Sequence, residues 1–562
     1  MLALILAAAC QRSDSQLVSP DDTGGAATGP PTLVVTRPAR AAFTGRSQVE
    51  LVGQVIDGGS PIAEVEYNGE PITAAGDGSF NVQLYERYGI NLVDVRAEDE
   101  AQESAIETVS FHAGPTHAPG EQLSRALRAQ LSADLVDDIG SLAGGVLSDD
   151  SLADSFEGLQ QKTEYASITP TSITWAGAFV ELELEEDLVV ATIVLTDIVV
   201  DMDVTGVDWY DWIGTTAQAT MSSATIYSEL AVSSQGGQVT VDTEQTTAGL
   251  SGYAISIDWF PDTFEDDVAD WTRGLIEDQV AGLLQDTLGS LISGLMDAFA
   301  LDLDLGSGVS VTLSAADVDV SNAGILLSLH GQIAAPSGAW PDGAGSLDKD
   351  TTAPSFPLAN GARFALAADE DFANQFLFAL WGAGAMSGIS LSAEDLGEVE
   401  VPPPLGPITS VDIAMDLPPV LQFNDGEELA ELGIGELLVD LNRTDGSLIQ
   451  LAVGLICPVD LVIEDDAVTL AWQTAELDLT VGVPVVPEGL SAPSLAALGR
   501  VTVPVVLSVS EGYVDGFPLP SFDLGASTGL EALQGVVLTP TDITLSEGGE
   551  GWLLLSGDLD GL

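Results

Sequence analysis

The chain has 562 residues, and its 14 lysines and arginines face 87 aspartates and glutamates, which gives a net charge of −73. We expect no nucleic-acid partner, because phosphate binding requires clustered basic side chains. The same charge disfavours direct attraction to anionic lipid headgroups. Apolar residues make up 46% of the chain, so it can fold around sizeable cores. We interpret this acidic composition as that of a secreted protein.

Residues 1–10, MLALILAAAC, form a short apolar run that ends in small residues before Cys10. The run resembles the end of a bacterial lipoprotein signal peptide, which is cut before the cysteine that then carries the lipid. The sequence therefore predicts an exported protein anchored through Cys10 in the cell envelope, at the outer membrane or cell surface. An ordinary secretory signal is the alternative. Residues 11–30 are rich in Ser, Asp, Thr and Gly and predict a flexible tether.

Residues 31–115 alternate between apolar and polar positions in short runs separated by turn signals, which predicts an all-β, immunoglobulin-like sandwich. Asp77, Asp94 and Asp99 in this module could bind calcium, but we favour the interpretation that they are solvated turn carboxylates. The module resembles bacterial immunoglobulin-like modules at Gly53, Val65, Asn68, Gly69, Asp77, Gly78, Phe80, Gly89, Asn91, Val93, Val95 and Asp99.

Residues 116–335 predict a first large domain that opens with leucines at every fourth position. This spacing predicts an amphipathic helix, with apolar positions at Leu123, Leu127, Leu131, Leu135, Ile139 and Leu142. Strands with one dry and one wet face follow. Val180, Leu182 and Leu184 face one way in the first of them, and Val200, Met202 and Val204 alternate with aspartates in another.

The stretch from 262 to 299 has apolar residues at spacings near three and four, which is the helical period. These positions are Phe264, Val268, Trp271, Leu275, Leu284, Leu288, Leu291, Leu295 and Phe299. Acidic residues interrupt the stretch, so it is not a membrane span. Its wide apolar arc must lie against a sheet, either in a solid core or along an apolar tunnel. The candidate tunnel wall is Leu123, Leu127, Leu131, Leu135, Leu275, Leu284, Leu288 and Leu291.

Residues 336–356 have the Pro, Gly and Asp content of a linker. Residues 357–562 repeat the plan of the first domain, with an early helix at Phe372–Trp381 and strands after it, which suggests an old duplication. The segment 501–510, VTVPVVLSVS, predicts a strand because it is rich in valine. Cys457 lies in an apolar run and is interpreted as a small buried hydrophobe.

Three stretches together resemble the BPI/LBP/CETP family, whose fold is also called TULIP, over residues 118–562. The first runs from Ile226–Leu230 into the 262–299 stretch, and the second is FALAADEDFANQF at 364–376. The third is GFPLP at 516–520, followed by LQGVVL at 533–538.

The resemblance implies an α+β boomerang of two barrels, each a twisted antiparallel sheet wrapped on a long helix. It also implies binding of lipids with acyl chains in apolar tunnels. The chain departs from the family in lacking its amino-terminal disulfide cysteines and the basic tip that grips lipopolysaccharide phosphates. A third departure is that the family's second long helix is hard to find after residue 490. The sequence therefore does not decide whether a second tunnel exists.

Enzymatic alternatives find little support in the sequence. Gly525–Gly529 reads GASTG and matches the nucleophile elbow of hydrolases. The histidines are His112, His117 and His330, all upstream of Ser527 and without an evident partner in the sequence. No zinc or nucleotide motif occurs, and DTG at 22–24 lies in the tether. We therefore predict a non-enzymatic lipid-binding protein without cofactor or metal; the alternative is an adhesin or scaffold with solid cores.

Overall fold

The protein is mostly β, and the strands of its described part form six sheets. In a computed structural model of the chain, the described residues are 29–45, 48–85, 87–146, 160–162, 166–207, 214–257, 269–271, 273–274, 289, 292–296, 299–300, 302–306, 308–336, 340–341, 343–359, 361–386, 388–392, 407–424, 429–464, 467–473, 477–486, 490–510, 517–518, 522–525, 535–545 and 550–560.

The first region is a sandwich of two sheets, as its alternating pattern predicts. Its strands are β1 (Thr32–Arg37), β2 (Ala42–Phe43), β3 (Gln48–Ile56), β4 (Ile62–Tyr67), β5 (Glu70–Pro71), β6 (Ser79–Tyr85), β7 (Gly89–Asp99) and β8 (Ser104–Ala113). One sheet has the order β1-β3-β6 and the other β2-β8-β7-β4-β5. Leu51, Val95 and Phe111 are fully buried in a core that belongs to this sandwich.

The second region contains most of the long strands. Its elements are β9 (Thr116–His117), β10 (Gln122–Ser132), α1 (Ala133–Val146), β11 (Gln161–Lys162), β12 (Ala166–Thr174), β13 (Gly177–Glu185), β14 (Leu188–Gly206), β15 (Gly214–Gln235), β16 (Gln238–Ser251), β17 (Ala254–Ile257), β18 (Asp302–Gly306), β19 (Val309–Ser321) and β20 (Gly324–Ala334). Within 262–299, the described residues 269–271, 273–274, 289 and 292–296 are helical, as the period predicts.

The predicted helix that starts near residue 123 is wrong in its first half. Leu123, Leu127 and Leu131 lie on strand β10, and the helix begins only at Ala133. A spacing of four residues is close to one helical turn but is also two full strand periods, so these leucines share one face in either structure. Pairing decides the outcome, because β10 is hydrogen-bonded to β20 on one side and to β22 (Phe364–Asp369) on the other.

The third region follows the connection at 336–356, in which β21 (Ser346–Leu347) pairs with β9. After β22 come α2 (Glu370–Gly382), β23 (Ile389–Ser392), β24 (Ile408–Met415), β25 (Val420–Phe423), β26 (Ala430–Arg443), β27 (Leu448–Glu464), β28 (Ala467–Trp472), β29 (Asp478–Val485), α3 (Ala492–Ser510), β30 (Phe517–Pro518), β31 (Phe522–Asp523), β32 (Val537–Leu545) and β33 (Trp552–Asp560). Helix α2 agrees with the helix predicted at Phe372–Trp381.

The strand predicted at 501–510 is also wrong, because this segment is the second half of helix α3. The helical penalty of valine is only a few tenths of a kcal/mol per residue, and packing of the helix on β29 outweighs it. The helix runs through Pro504 although proline removes one backbone hydrogen bond. The third region therefore contains a long helix, which the sequence pattern did not reveal.

Three large sheets organise the second and third regions. The first half-barrel sheet has the order β11-β12-β14-β15-β16, with β13 beside β14 and β17 beside β15. The second half-barrel sheet has the order β23-β24-β26-β27-β28-β30, with β25 beside β26 and β29 beside β27. Between them, the central sheet has the order β18-β19-β20-β10-β22-β33-β32-β31. The two regions thus share one sheet, joined where β10 pairs with β22.

Candidate lipid-binding interior

The dry face of the first half-barrel sheet is formed by alternating side chains on its two longest strands. Strands β14 and β15 have 19 and 22 residues, and strands of this length twist and curve. Val200, Met202 and Val204 of β14 are buried, as the alternation predicts. The inward row of β15 includes Ala219 and Ala224, whose short side chains bring little volume into the interior.

Helical residues and the central sheet close this interior from the other side. Leu135 and Ile139 of α1 are fully buried, as are Ile292, Leu295 and Met296. These side chains, the dry face of the first half-barrel sheet and one face of the central sheet form a single apolar cluster. The cluster continues into the third region, because Phe299 stacks on Phe364 with ring centroids 6.0 Å apart.

Half of the predicted tunnel wall can be located in this interior. Leu123 and Leu127 are each 6% exposed, Leu131 is 1% exposed and Leu135 is 0% exposed, and all four belong to the apolar cluster. Leu275, Leu284, Leu288, Leu291 and Cys10 lie outside the described residues. The sequence missed that the first three leucines reach the interior from the central sheet and not from a helix.

Tyr253 packs against the apolar cluster and makes polar contacts. Its hydroxyl donates to the backbone oxygen of Ala269 at 3.1 Å, and the Arg273 guanidinium lies 5.0 Å from the centre of its ring. Trp271 also packs against the apolar cluster. A Cβ atom built on half-buried Gly274 or Gly289 would meet no described atom within 4 Å.

The third region has a smaller apolar core between the second half-barrel sheet and α3. Leu495 of α3 and Val453, Leu455 and Cys457 of β27 are buried there. Burial raises the pKa of the Cys457 thiol, so this cysteine is the small buried hydrophobe that its sequence context predicts. This core gives α3 a partner surface but is less extensive than the first interior.

The immunoglobulin-like sandwich packs closely on the second half-barrel sheet. A Cβ atom on Gly482 would lie 2.1 Å from Thr108 Oγ1, so only glycine fits at this contact without movement. Nearby, Arg40 Nη1 lies 3.2 Å from Oε2 of buried Glu436, whose Oε1 accepts a hydrogen bond from Ser110 N at 2.8 Å. Burial raises the pKa of Glu436, and Arg40 opposes that rise.

A polar cluster lies where the sandwich, the 336–356 connection and α2 meet. His117 Nε2 lies 3.1 Å from Asp371 Oδ2 and 3.5 Å from Asp348 Oδ1. The interpretation that no histidine has an evident partner is therefore wrong for His117, because residues distant in sequence supply its partners. The hydrogen bond to Asp371 raises the pKa of His117. Burial raises the pKa of Asp369, the N-cap of α2, to about 7.

The other candidate sites remain apart from the interior. Asp77 accepts hydrogen bonds from Ser79, Asp94 contacts Arg500, and Asp99 accepts from two backbone amides of its own turn. Exposed Asp77 is a turn carboxylate as favoured, whereas Asp94 lies within strand β7 and pairs with a distant arginine, and Asp99 caps its turn but is only 1% exposed, so the prediction of solvated turn carboxylates is wrong for these two. Ser527 lies outside the described residues. Among the described helices, none has both the length and the apolar character needed to cross a membrane.

The described residues thus define a mostly β protein with half-barrel sheets and an immunoglobulin-like sandwich. Residues 31–114 match the family model of glucodextranase domain B, and the search of curated proteins found no match. The chain is similar to a solved lipopolysaccharide-binding protein, with 10% identity, a TM-score of 0.40 and coverage of 78% of this chain and 99% of that one. It is also similar to P47 of Clostridium botulinum E1 and A2, with 8% and 9% identity, TM-scores of 0.24, and coverage of 78% of this chain and 100% and 98% of theirs.

Proposed function

We propose that this protein binds lipids with acyl chains, without catalysis, in apolar space between the first half-barrel sheet and its helices. The observation that carries the proposal is the single apolar cluster that joins this sheet, α1, residues 292–299 and the central sheet.

The energetics of such a ligand require no catalytic groups. Each methylene moved out of water contributes about 0.8 kcal/mol, so two long chains contribute on the order of 20 kcal/mol before the costs of ordering. A site that binds by shape and dryness accepts several lipids. In this proposal the two half-barrel sheets and their helices form a boomerang, and the protein is a candidate to shuttle lipids as well as to hold them.

Lipopolysaccharide is not the ligand that we propose. Its phosphates would require clustered basic side chains, and the whole chain has only 14 lysines and arginines. A lipid with acyl chains whose headgroup is uncharged, or carries a single charged group, fits the acidic composition of the chain better. We also propose that the chain is exported and anchored in the cell envelope through a lipid on Cys10, which replacement of Cys10 by serine and metabolic labelling with a fatty acid would test.

The proposal is tested by extracting the purified full-length chain with organic solvent and analysing the extract by mass spectrometry. We expect the same phospholipids or fatty acids in independent preparations, at a fixed ratio to protein. The isolated immunoglobulin-like sandwich is not a suitable control, so an unrelated acidic protein from the same host serves instead. An extract that matches this control would overturn the proposal and favour the scaffold.

A further inference from the structure

His117, Asp348 and Asp371 bring one imidazole nitrogen and two carboxylate oxygens within 4.8 Å of one another. We propose that these three side chains bind a divalent transition-metal ion, and that Zn²⁺ fits them best. This site is separate from the apolar interior and does not depend on the proposed lipid. Imidazole favours zinc, copper, iron and nickel, whereas calcium requires six to eight oxygen ligands, more than the three groups present here.

The distances agree with tetrahedral coordination of zinc. Zinc binds nitrogen and carboxylate oxygen at about 2.0–2.2 Å, so two ligand atoms at the tetrahedral angle are roughly 3.3–3.5 Å apart. His117 Nε2 lies 3.1 Å from Asp371 Oδ2 and 3.5 Å from Asp348 Oδ1. The two distances from His117 thus match a tetrahedral ion, and all three ligand atoms lie within 4.8 Å of one another, so closing them on an ion requires only local side-chain movement. It would replace the proton on Nε2, which passes to solvent.

Surrounding groups contact two of the three ligands. Glu121 Oε2 accepts a hydrogen bond from Ala118 N at 2.8 Å and lies 3.8 Å from Nδ1 of His117, so a carboxylate is near the nitrogen that must keep its proton but does not hydrogen-bond it directly. The second oxygen of Asp371 accepts a hydrogen bond from the backbone nitrogen of Lys349 at 3.0 Å. The side chains of His117 and Asp371 are 18% and 10% exposed, whereas that of Asp348 is 41% exposed, so the site is shielded on one side and reachable from solvent on the other.

Charge around the cluster gives an independent reason for a cation. Glu370, next to Asp371, is completely buried, and its Oε1 has no hydrogen-bond partner among the described residues. Its Oε2 is paired with Lys349 Nζ at 3.2 Å, the one lysine in the cluster. The carboxylates of Glu121, Asp348, Glu370 and Asp371 therefore outnumber the two cationic side chains of the described residues that contact them, which are His117 and Lys349. A divalent ion would offset this surplus without further basic residues.

The three ligands come from three separate segments. His117 lies on β9 after the sandwich, Asp348 follows β21 in the connection, and Asp371 is in the first turn of α2. Strand β21 already pairs with β9, which places Ser346 opposite His117. A bound ion would fasten α2 to this pair. Metal binding would thus hold the connection between the second and third regions in one position.

Isothermal titration calorimetry of the metal-stripped full-length chain with Zn²⁺ tests the site, in buffer with enough salt to suppress non-specific binding to carboxylates. We expect one saturable site in the wild type, and at least tenfold weaker binding in His117→Gln and in Asp348→Asn. The matched controls His330→Gln and Asp350→Asn lie outside the cluster and should leave binding unchanged. Circular dichroism establishes that each variant is folded.

A second readout is specific for coordination. Co²⁺ titrated in place of Zn²⁺ should give the strong visible absorption of a tetrahedral ion in the wild type but not in His117→Gln. The proposal is overturned if no saturable site appears, if all variants bind as the wild type does, or if Ca²⁺ binds and Zn²⁺ does not. In the first two cases the cluster is an ion pair between a histidine and its carboxylates.

Discussion

Replacing Ala224 by phenylalanine distinguishes an interior that holds a ligand from one that is filled by side chains. Ala224 lies on β15, is 1% exposed and belongs to the apolar cluster. Its neighbour Thr225 points to the opposite side of the same strand and is exposed. Because successive strand residues face opposite sides, Thr225→Phe adds the same ring outside the interior and is the matched control.

The two interiors predict different magnitudes for Ala224→Phe. In a ligand-filled interior the ring takes the place of about four methylenes of a chain, which weakens lipid binding by about 3 kcal/mol, or roughly a hundredfold. The free energy of unfolding of the lipid-free protein then changes little. In a solid core the ring must displace packed side chains, which costs about 1–3 kcal/mol of stability or more.

Both quantities are measured on the same samples. Displacement of a fluorescent fatty acid reports lipid affinity, and urea unfolding of the delipidated protein reports stability. We expect Ala224→Phe to lose affinity at nearly unchanged stability and Thr225→Phe to change neither. Loss of stability in Ala224→Phe, with no lipid binding by the wild type, would refute the idea of a lipid-holding interior.

Three further predictions concern the sandwich and its contact with the third region. Gly482→Ala places a methyl group against Thr108 and should lower the free energy of unfolding by about 1–3 kcal/mol in urea titrations. Burial lowers the pKa of His112 to about 4, so the unfolded chain binds a proton that the folded chain does not as pH falls below 6.5. Stability should drop by up to about 3 kcal/mol between pH 6.5 and 4 relative to His112→Leu. Arg40→Ala leaves Glu436 buried without its cation and should cost about 2–3 kcal/mol in the same assay at pH 7, part of which Glu436→Gln restores.

Matched controls separate these effects from general sensitivity to substitution. A Cβ atom on Gly249 meets nothing within 4 Å, so Gly249→Ala should leave stability nearly unchanged. Arg96 pairs with Glu98 on the surface, with both side chains partly exposed, so Arg96→Ala should cost less than about 1 kcal/mol. Equal losses in a variant and its control would show that the sandwich contact contributes nothing specific.

Strand alternation was the most predictable feature of the fold. Val180, Leu182, Val200 and Met202 are buried as their period predicts, because a half-buried antiparallel strand leaves a direct record in the sequence. Helix α2 was equally predictable from its aromatic spacing. The immunoglobulin-like sandwich was recognisable because its strands are short and its turns carry glycine and aspartate.

The failures have two physical causes. Leucines spaced by four fit both a helix and a strand, so the local pattern around Leu127 could not choose between them. The valines of α3 favour a strand locally, and packing on β29 overrides that preference. In both cases the deciding interactions are tertiary, and a single sequence does not record them.

The polar cluster was missed for a related reason. His117 precedes Asp348 and Asp371 by hundreds of positions, and neither aspartate differs in its sequence context from the other acidic residues of the chain. The pairing of β9 with β21 and the start of α2 bring the three together. The only signal available in the sequence was scarcity, because there are three histidines. Rarity alone does not identify the site, because His112 is fully buried and neither of its ring nitrogens has a hydrogen-bond partner among the described residues, so topology decides which histidine meets carboxylates.

The central sheet connects the separate observations on this molecule. Strand β10 carries Leu127 and Leu131 on the side of the first interior, and its pairing with β22 leads directly into Asp369 and α2. The same few strands therefore line the proposed lipid site and position the proposed metal site at their end. A change that displaces β22 would be expected to affect both, whereas Asp348→Asn, at the periphery, should affect the metal alone. This difference makes Asp348→Asn the variant with which to ask whether the ion influences lipid binding at all.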